Sequence, residues 1–210
     1  MNRLPSILIA SNNAHKLQEF REIFTQSGAK DTALLTPQSL RLDIEPEETG
    51  ETYLENARIK ARAFERLIRN RNDLPTLWIM ADDSGLEVDA LGGGPGVRSA
   101  RYHKTAPNKD GCEALLTAMI AVPENRRTGR FRSVIVILTP DRHEHVFEGV
   151  CEGSIGFDKR GTEGFGFDPV FRVAGDSRHL AEMSSEEKHR VSHRGKAAQA
   201  VIAFLKAIRA

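Results

Sequence analysis

The stretch from Trp78 to Asp89 constrains this chain more than any other. Leu77-Trp78-Ile79-Met80-Ala81 is an apolar run long enough for one buried strand. It leads straight into Asp82 and Asp83, and Ser84-Gly85 behind them predict a turn. Leu86, Val88 and Ala90 then alternate with Glu87 and Asp89. Two carboxylates at the end of a buried strand form a rigidly held pocket of negative charge. Such a pocket suits a divalent cation, or a base that must deprotonate water. The plainer alternative is a polar turn in which one Asp caps a backbone amide and the other is solvated.

Upstream, Ser6 to Ala10 predicts a first buried strand. Ser11-Asn12-Asn13-Ala14-His15-Lys16 then leads into a helix on which Leu17, Phe20 and Phe24 recur at helical spacing, with Ile23 alongside. A strand, a small polar loop and a helix N-terminus form a favourable place for an anion, because free amides and the helix dipole point at it. Lys16 adds a full positive charge in the first turn, where the dipole alone prefers an acid. An Asn-capped helix with a solvated lysine is the alternative. The loop is not a Walker loop, since the glycines and the Lys-Ser/Thr ending are missing.

Weaker strands are expected at Ala33–Leu35 and Leu40–Ile44, on either side of Pro37. Residues 45–51, Glu-Pro-Glu-Glu-Thr-Gly-Glu, form an acidic loop ahead of a helix that Thr52 and Glu55 open as a capping box. That helix carries Leu54, Ala57, Ala61, Phe64 and Ile68 on one face. Arg58, Lys60, Arg62, Arg66 and Arg69 lie on the others and are expected mostly in solvent. An acidic loop held by such a helix could supply a second metal carboxylate.

Further along, Gly92-Gly93-Gly94-Pro95-Gly96 predicts a structural loop, and Cys112, Leu115, Leu116, Met119 and Ile120 an amphipathic helix. Ser133–Leu138 predicts a central strand. Residues 139–142 turn the chain, and His145–Cys151 returns as the hairpin partner. His143 and His145 on that hairpin are expected at the surface. In Gly161–Phe171 glycine alternates with phenylalanine, which leaves backbone beside flat faces that stack on a planar base. An edge strand with core phenylalanines and an Asp-Pro turn is the alternative. Ser184 with Glu187 is a second capping box, opening a short helix that contains Lys188. Ser192-His193-Arg194-Gly195 gathers donors ahead of a last helix whose buried stripe is Val201, Leu205 and Ile208.

At 210 residues the chain can bury a substantial core as one large domain or two small lobes. A net charge of +1 provides no basic field for duplex nucleic acid. Two cysteines, Cys112 and Cys151, are too few for a disulfide framework and lack metal-site spacing. The apolar run near Met1 is too short for a signal segment, and no stretch reaches the length of a membrane span. The expectation is a cytoplasmic protein with neither nucleic-acid nor membrane partners.

Taken together, five segments resemble the inosine triphosphate pyrophosphatase family, across nearly the whole chain and in order. They are residues 11–16; Glu47-Glu48-Thr49-Gly50 with Glu55-Asn56-Ala57; Ala81-Asp82-Asp83-Ser84-Gly85-Leu86; Gly164-Phe165-Gly166-Phe167-Asp168-Pro169; and Ser192-His193-Arg194-Gly195. The first departs from the family's usual Thr-Gly-Asn, reading Ser11-Asn12-Asn13, and His15 is bulkier than the residue many members carry there.

This resemblance implies a single α/β domain over 1–210, with a long mixed β-sheet flanked by helices and two lobes with the nucleotide in the cleft between. It implies a Mg²⁺-dependent homodimer that converts deaminated purine nucleoside triphosphates, dITP, ITP and XTP, to monophosphate and pyrophosphate. By position, Asp83 is the proton acceptor and a metal ligand, and Glu47 is the second ligand with Glu48 in reserve. Ser11, Asn12, Asn13, Ala14, His15, Lys16 and Ser84 would hold phosphates and nearby groups. Phe165, Gly166, Phe167, Asp168, Lys188, His193 and Arg194 would surround the nucleoside. Two rivals stand beside it. One is a Maf-like pyrophosphatase of other modified nucleotides; the other is a non-catalytic module that binds nucleotides or single-stranded RNA by stacking on Phe165 and Phe167.

Overall fold

The computed structural model describes residues 5–69, 71–74, 76–105 and 110–208. They form an α/β fold on one mixed six-stranded sheet in the order β2-β1-β3-β4-β5-β6. The strands are β1 (Ile7–Ile9), β2 (Leu34–Leu35), β3 (Trp78–Val88), β4 (Thr128–Leu138), β5 (Glu144–Ile155) and β6 (Phe171–Val173). β1 pairs in parallel with β2 and β3, whereas β6 runs antiparallel to β5. The helices are α1 (Ala14–Gln26), α2 (Tyr53–Arg69), α3 (Gly111–Ala118), α4 (Ser185–Val191) and α5 (His193–Ala207). Among the described residues no helix is long and apolar enough to cross a membrane.

The chain divides into two compact units, and β3, β4 and β5 have residues in both. The first comprises residues 1–83, 134–148 and 197–210. Its sheet is buried on both faces, and the alternation of a strand sorts residues between them. Ile7, Ile9 and Met80 pack with Phe20, Ile23 and Phe24 of α1 and with Ala197, Val201 and Leu205 of α5. Leu8, Ala10, Ile79 and Ala81, one residue out of step, pack with Ala57, Ala61 and Phe64 of α2.

The second unit comprises residues 84–133 and 149–196. Leu86, Val88, Phe131, Cys151 and Phe171 pack there against Cys112, Leu115 and Met119. Arg127, almost wholly buried, donates to the carbonyls of Met119, Val122, Ile155 and Gly156 and so ties the end of α3 to the end of β5. Cys112 and Cys151 are free, buried thiols, and burial pushes them up to about 12 and about 11.

Several expectations are corrected. The Asp82–Gly85 turn does not exist, because β3 runs unbroken through it. Leu40–Ile44 is not a strand: a 3₁₀ turn at Gln38–Leu40 ends on Arg41 with φ of 53°, which breaks extended structure. Ile120 lies beyond the end of α3 and is 85% exposed, and Ile208 at the end of the last helix is 51% exposed, so neither belongs to a buried stripe. Both capping boxes form, at Thr52/Glu55 and Ser184/Glu187. The hairpin is present as β4 and β5, with His143 exposed and His145 packed on Phe204 at 4.3 Å between ring centroids.

Candidate active site

In the first unit, β1 ends at a loop that its own side chains shape. Ser11 Oγ accepts from the Asn13 amide at 3.2 Å, and Asn13 Oδ1 caps α1 by accepting from the Lys16 amide at 3.1 Å. Asn12 donates from Nδ2 to the Ile44 carbonyl at 2.9 Å, fastening the loop to the chain ahead of the acidic run. Asn12, Asn13, Ala14 and His15 are exposed. Lys16 turns back and places Nζ 2.8 Å from Asp82 Oδ2.

Along β3 the faces alternate, and the consequence is chemical. Asp82 follows Met80 onto the side of α1, where it meets Lys16; Asp83 follows Ala81 onto the side of α2, where it meets Lys60. Lys60 Nζ lies 2.9 Å from Asp83 Oδ1 and 2.7 Å from Glu48 Oε1, so one ammonium gathers two carboxylates. Asn56, fully buried one turn earlier on α2, accepts from the Gly50 amide at 2.8 Å through Oδ1. That leaves its amide nitrogen to face Asp83 Oδ2, at 3.4 Å. A Cβ on Gly50 would come within 2.8 Å of that same Asn56 oxygen and 2.6 Å of Glu55 Cβ, so the acidic loop needs a glycine there.

Burial pushes the Asp83 carboxyl above the usual carboxylate range, against the pull of Lys60 and Lys16. Burial works against the Lys60 ammonium too, but Asp83 and Glu48 outweigh it and its pKa is raised. A carboxylate of raised basicity beside a fixed cation is the expected environment of a general base.

In the second unit, Ser84 Oγ lies 2.7 Å from Arg194 Nη2. Lys188 Nζ lies 2.7 Å from Asp168 Oδ2, which also accepts from the Phe165 amide at 2.8 Å. Gly164, at φ of 76°, makes this possible, since a Cβ there would lie 2.2 Å from Asp168 Oδ2. Lys188 and Arg194 stand 5.2 and 5.6 Å from the Phe165 ring centroid, within cation–π range. His193 is buried and stacks on Phe131, at 4.7 Å and an interplanar angle of 11°. Gly195 lets the start of α5 close on α4, because a Cβ would meet the His189 carbonyl oxygen at 1.8 Å.

The structure therefore brings Asp83, Glu48, Lys60 and Asn56 together, and separately Ser84, Phe165, Asp168, Lys188 and Arg194. Glu47 does not join the first group: its side chain is exposed, and its neighbour Glu48 reaches Lys60. Phe167 is buried in the second core with its ring 6.0 Å from Tyr102, and Gly166 accepts from Cys112 Sγ at 3.2 Å through its carbonyl. Two residues escape the sequence reading. Lys60 is buried rather than solvated, and Asn56 carries a role that its place in a motif does not disclose. Their signal is positional: Asn56 and Lys60 stand one turn apart, each beside an alanine of the buried stripe, Ala57 and Ala61.

A mixed sheet with helices on both faces, and two acids on a central strand each met by a lysine of a flanking helix, defines an α/β protein of the enzyme type. The chain belongs to the Ham1 family, whose pattern it matches over residues 7–204. A dITP/XTP pyrophosphatase of Methylococcus capsulatus is 43% identical over 205 residues, spanning 96% of each chain. One of Corynebacterium efficiens is 44% identical, spanning 93% of this chain and 95% of its own. The solved Ham1 protein of Staphylococcus aureus superposes with a TM-score of 0.79 at 37% identity, covering 96% of this chain and 98% of that one.

Proposed function

We propose that this protein hydrolyses deaminated purine nucleoside triphosphates, dITP, ITP and XTP, to the monophosphate and pyrophosphate. One observation carries the chemistry: Asp83, of raised basicity, is fixed between Lys60 and Asn56 on a central strand. The likeness to relatives named dITP/XTP pyrophosphatase supports the substrate class.

In this reading Asp83 takes the proton from a water attacking the α-phosphorus, and the bond to pyrophosphate breaks in line with it. Lys16 and the α1 amides stabilise charge on the leaving group. Lys60 holds Asp83 in place and opposes the burial that raises its pKa. Phe165 stacks on the base, while Arg194 and Lys188 supply donors to its 6-keto oxygen. Adenine offers an amino group there, and a site built to hydrogen-bond one group rejects the analogue lacking it. Guanine keeps the keto oxygen, so its exclusion is weaker. A module that only stacks bases on Phe165 and Phe167 is disfavoured, since Phe167 belongs to the core.

Mg²⁺ fits this donor set. Asp83 and Glu48 turn hard oxygens toward a single cation, the Lys60 ammonium, and Mg²⁺ is commonly held by one or two carboxylates together with substrate phosphates. Among the described residues no group of three or more His, Cys, Asp or Glu is placed to hold a metal ion. When bound, Mg²⁺ supplies Lewis acidity to the phosphate oxygens and acidifies water. Asp83 and Glu48 would hold it. A cytoplasmic homodimer completes the reading.

The test is turnover of a nucleoside triphosphate panel with phosphorus NMR of the products. The expected order of kcat/KM is ITP or XTP, then GTP, then ATP, with pyrophosphate as the first product. Early nucleoside diphosphate, or ATP turned over as well as ITP, would overturn the assignment.

A further inference from the structure

We propose that Ser84 is a specificity-determining positioning residue, which holds the Arg194 guanidinium in the orientation that distinguishes a 6-keto purine from a 6-amino one. This deepens the function proposed above and rests on Arg194 meeting the base.

The geometry is restrictive. Arg194 is only 2% exposed and sits in the first turn of α5, where Gly195 brings the helix against the His189 carbonyl. The Phe165 ring lies beneath its guanidinium at 5.6 Å, which limits tilt. Rotation within the plane is limited instead by Nη2 donating to Ser84 Oγ at 2.7 Å. A guanidinium is a flat fork of donors with no acceptor, so fixing one corner fixes the directions of the others. A fork in fixed orientation rewards an acceptor at one point and penalises a donor there; a fork free to swing discriminates less.

Ser84 is well placed for this. It lies within β3, an interior strand of the sheet, so its backbone is set by strand pairing rather than by a loop. Its short side chain has a single rotatable bond before the hydroxyl, so the oxygen that Arg194 finds has little freedom. The hydroxyl thus acts on base selection through Arg194.

The experiment measures kcat/KM for ITP and ATP in wild type, Ser84→Ala, Ser84→Thr, Arg194→Ala and the Ser84→Ala/Arg194→Ala double variant, each checked for folding by circular dichroism. Ser84→Ala is expected to shrink the ITP:ATP ratio roughly 10- to 100-fold, the factor set by one hydrogen bond to a charged group. The loss should fall chiefly on ITP. Ser84→Thr, which keeps the hydroxyl, should restore most of the ratio. In the Arg194→Ala background, Ser84→Ala should change the ratio by less than about twofold, because coupled residues are not additive. Additive losses in the double variant, or an unchanged ratio in Ser84→Ala while Arg194→Ala collapses it, would overturn the proposal. If Arg194→Ala itself leaves the ratio intact, the underlying base-reading role fails instead, which separates the two.

Discussion

Lys60 reaches Asp83 from the adjacent helix, Nζ to Oδ1 at 2.9 Å, with both side chains less than a tenth exposed. The same ammonium is shared with Glu48 at 2.7 Å. A buried carboxylate is thereby paired with a cation of the protein itself, which opposes the burial that raises its pKa. Each partner has a separate job in this arrangement, so their removals should look different.

Asp83→Asn keeps the shape of the side chain and leaves Lys60 paired with Glu48. Its fold should survive while turnover drops by ~10²–10⁴, the contribution of a positioned general base. Steady-state rates on purified, folded variant check this. A rate within a few-fold of wild type would remove Asp83 from the chemistry.

Lys60→Met takes from Asp83 and Glu48 the ammonium they share. Losing one partner of a buried ion pair costs ~3–5 kcal/mol, because the other charge stays behind unpaired. Urea unfolding should therefore show Lys60→Met well below Asp83→Asn in stability. The reverse order would mean that the ammonium contributes little to holding the acids in place.

The choice between neighbouring acids is tested by metal titration. Glu48→Gln should raise the Mg²⁺ concentration needed for half-maximal rate, whereas Glu47→Gln should leave it near wild type, since only Glu48 reaches the Asp83 cluster. Superimposable curves for Glu48→Gln and wild type would return Glu47 to consideration.

His179 gives a pH signature away from the acids. Burial lowers its pKa from the ordinary 6.5, helped by Arg160 and opposed by Glu182 and Asp158. Above 6.5 the ring is neutral folded or unfolded. Below 6.5 the unfolded chain takes up a proton that the folded chain refuses, so stability falls with pH until the folded pKa is passed. Urea midpoints measured from pH 7.5 downward should decline less steeply in His179→Gln than in wild type. Parallel slopes would mean the ring titrates normally in the fold.

Much of this architecture was legible because it is written locally. The strand at Ile7, the Asn13 cap, both capping boxes and the β4–β5 hairpin each depend on residues a few positions apart. What was not legible depends on distant partners. Asp and Gly are poor strand formers, so Asp82–Gly85 reads as a turn until Lys16 and Lys60, 66 and 23 residues away, are known to neutralise the two acids. Glu47 and Glu48 are equivalent in composition, and only the approach of Lys60 separates them. Phe165 and Phe167 likewise share one motif, but tertiary packing sends Phe167 into the core with Tyr102.

The unbroken run of β3 has an implication for how chains of this kind can vary. Met80, Ala81, Asp82, Asp83 and Ser84 are dealt to opposite faces by strict parity, and each acid meets its own lysine only in that phase. Exchanging one side chain alters one contact. Inserting or deleting one residue ahead of Asp83 inverts the phase of everything after it, presenting Asp82 or Ser84 to Lys60 and turning apolar residues outward. This segment can therefore diverge by substitution but not by length, and a change in its length would mark a relative that had abandoned the chemistry.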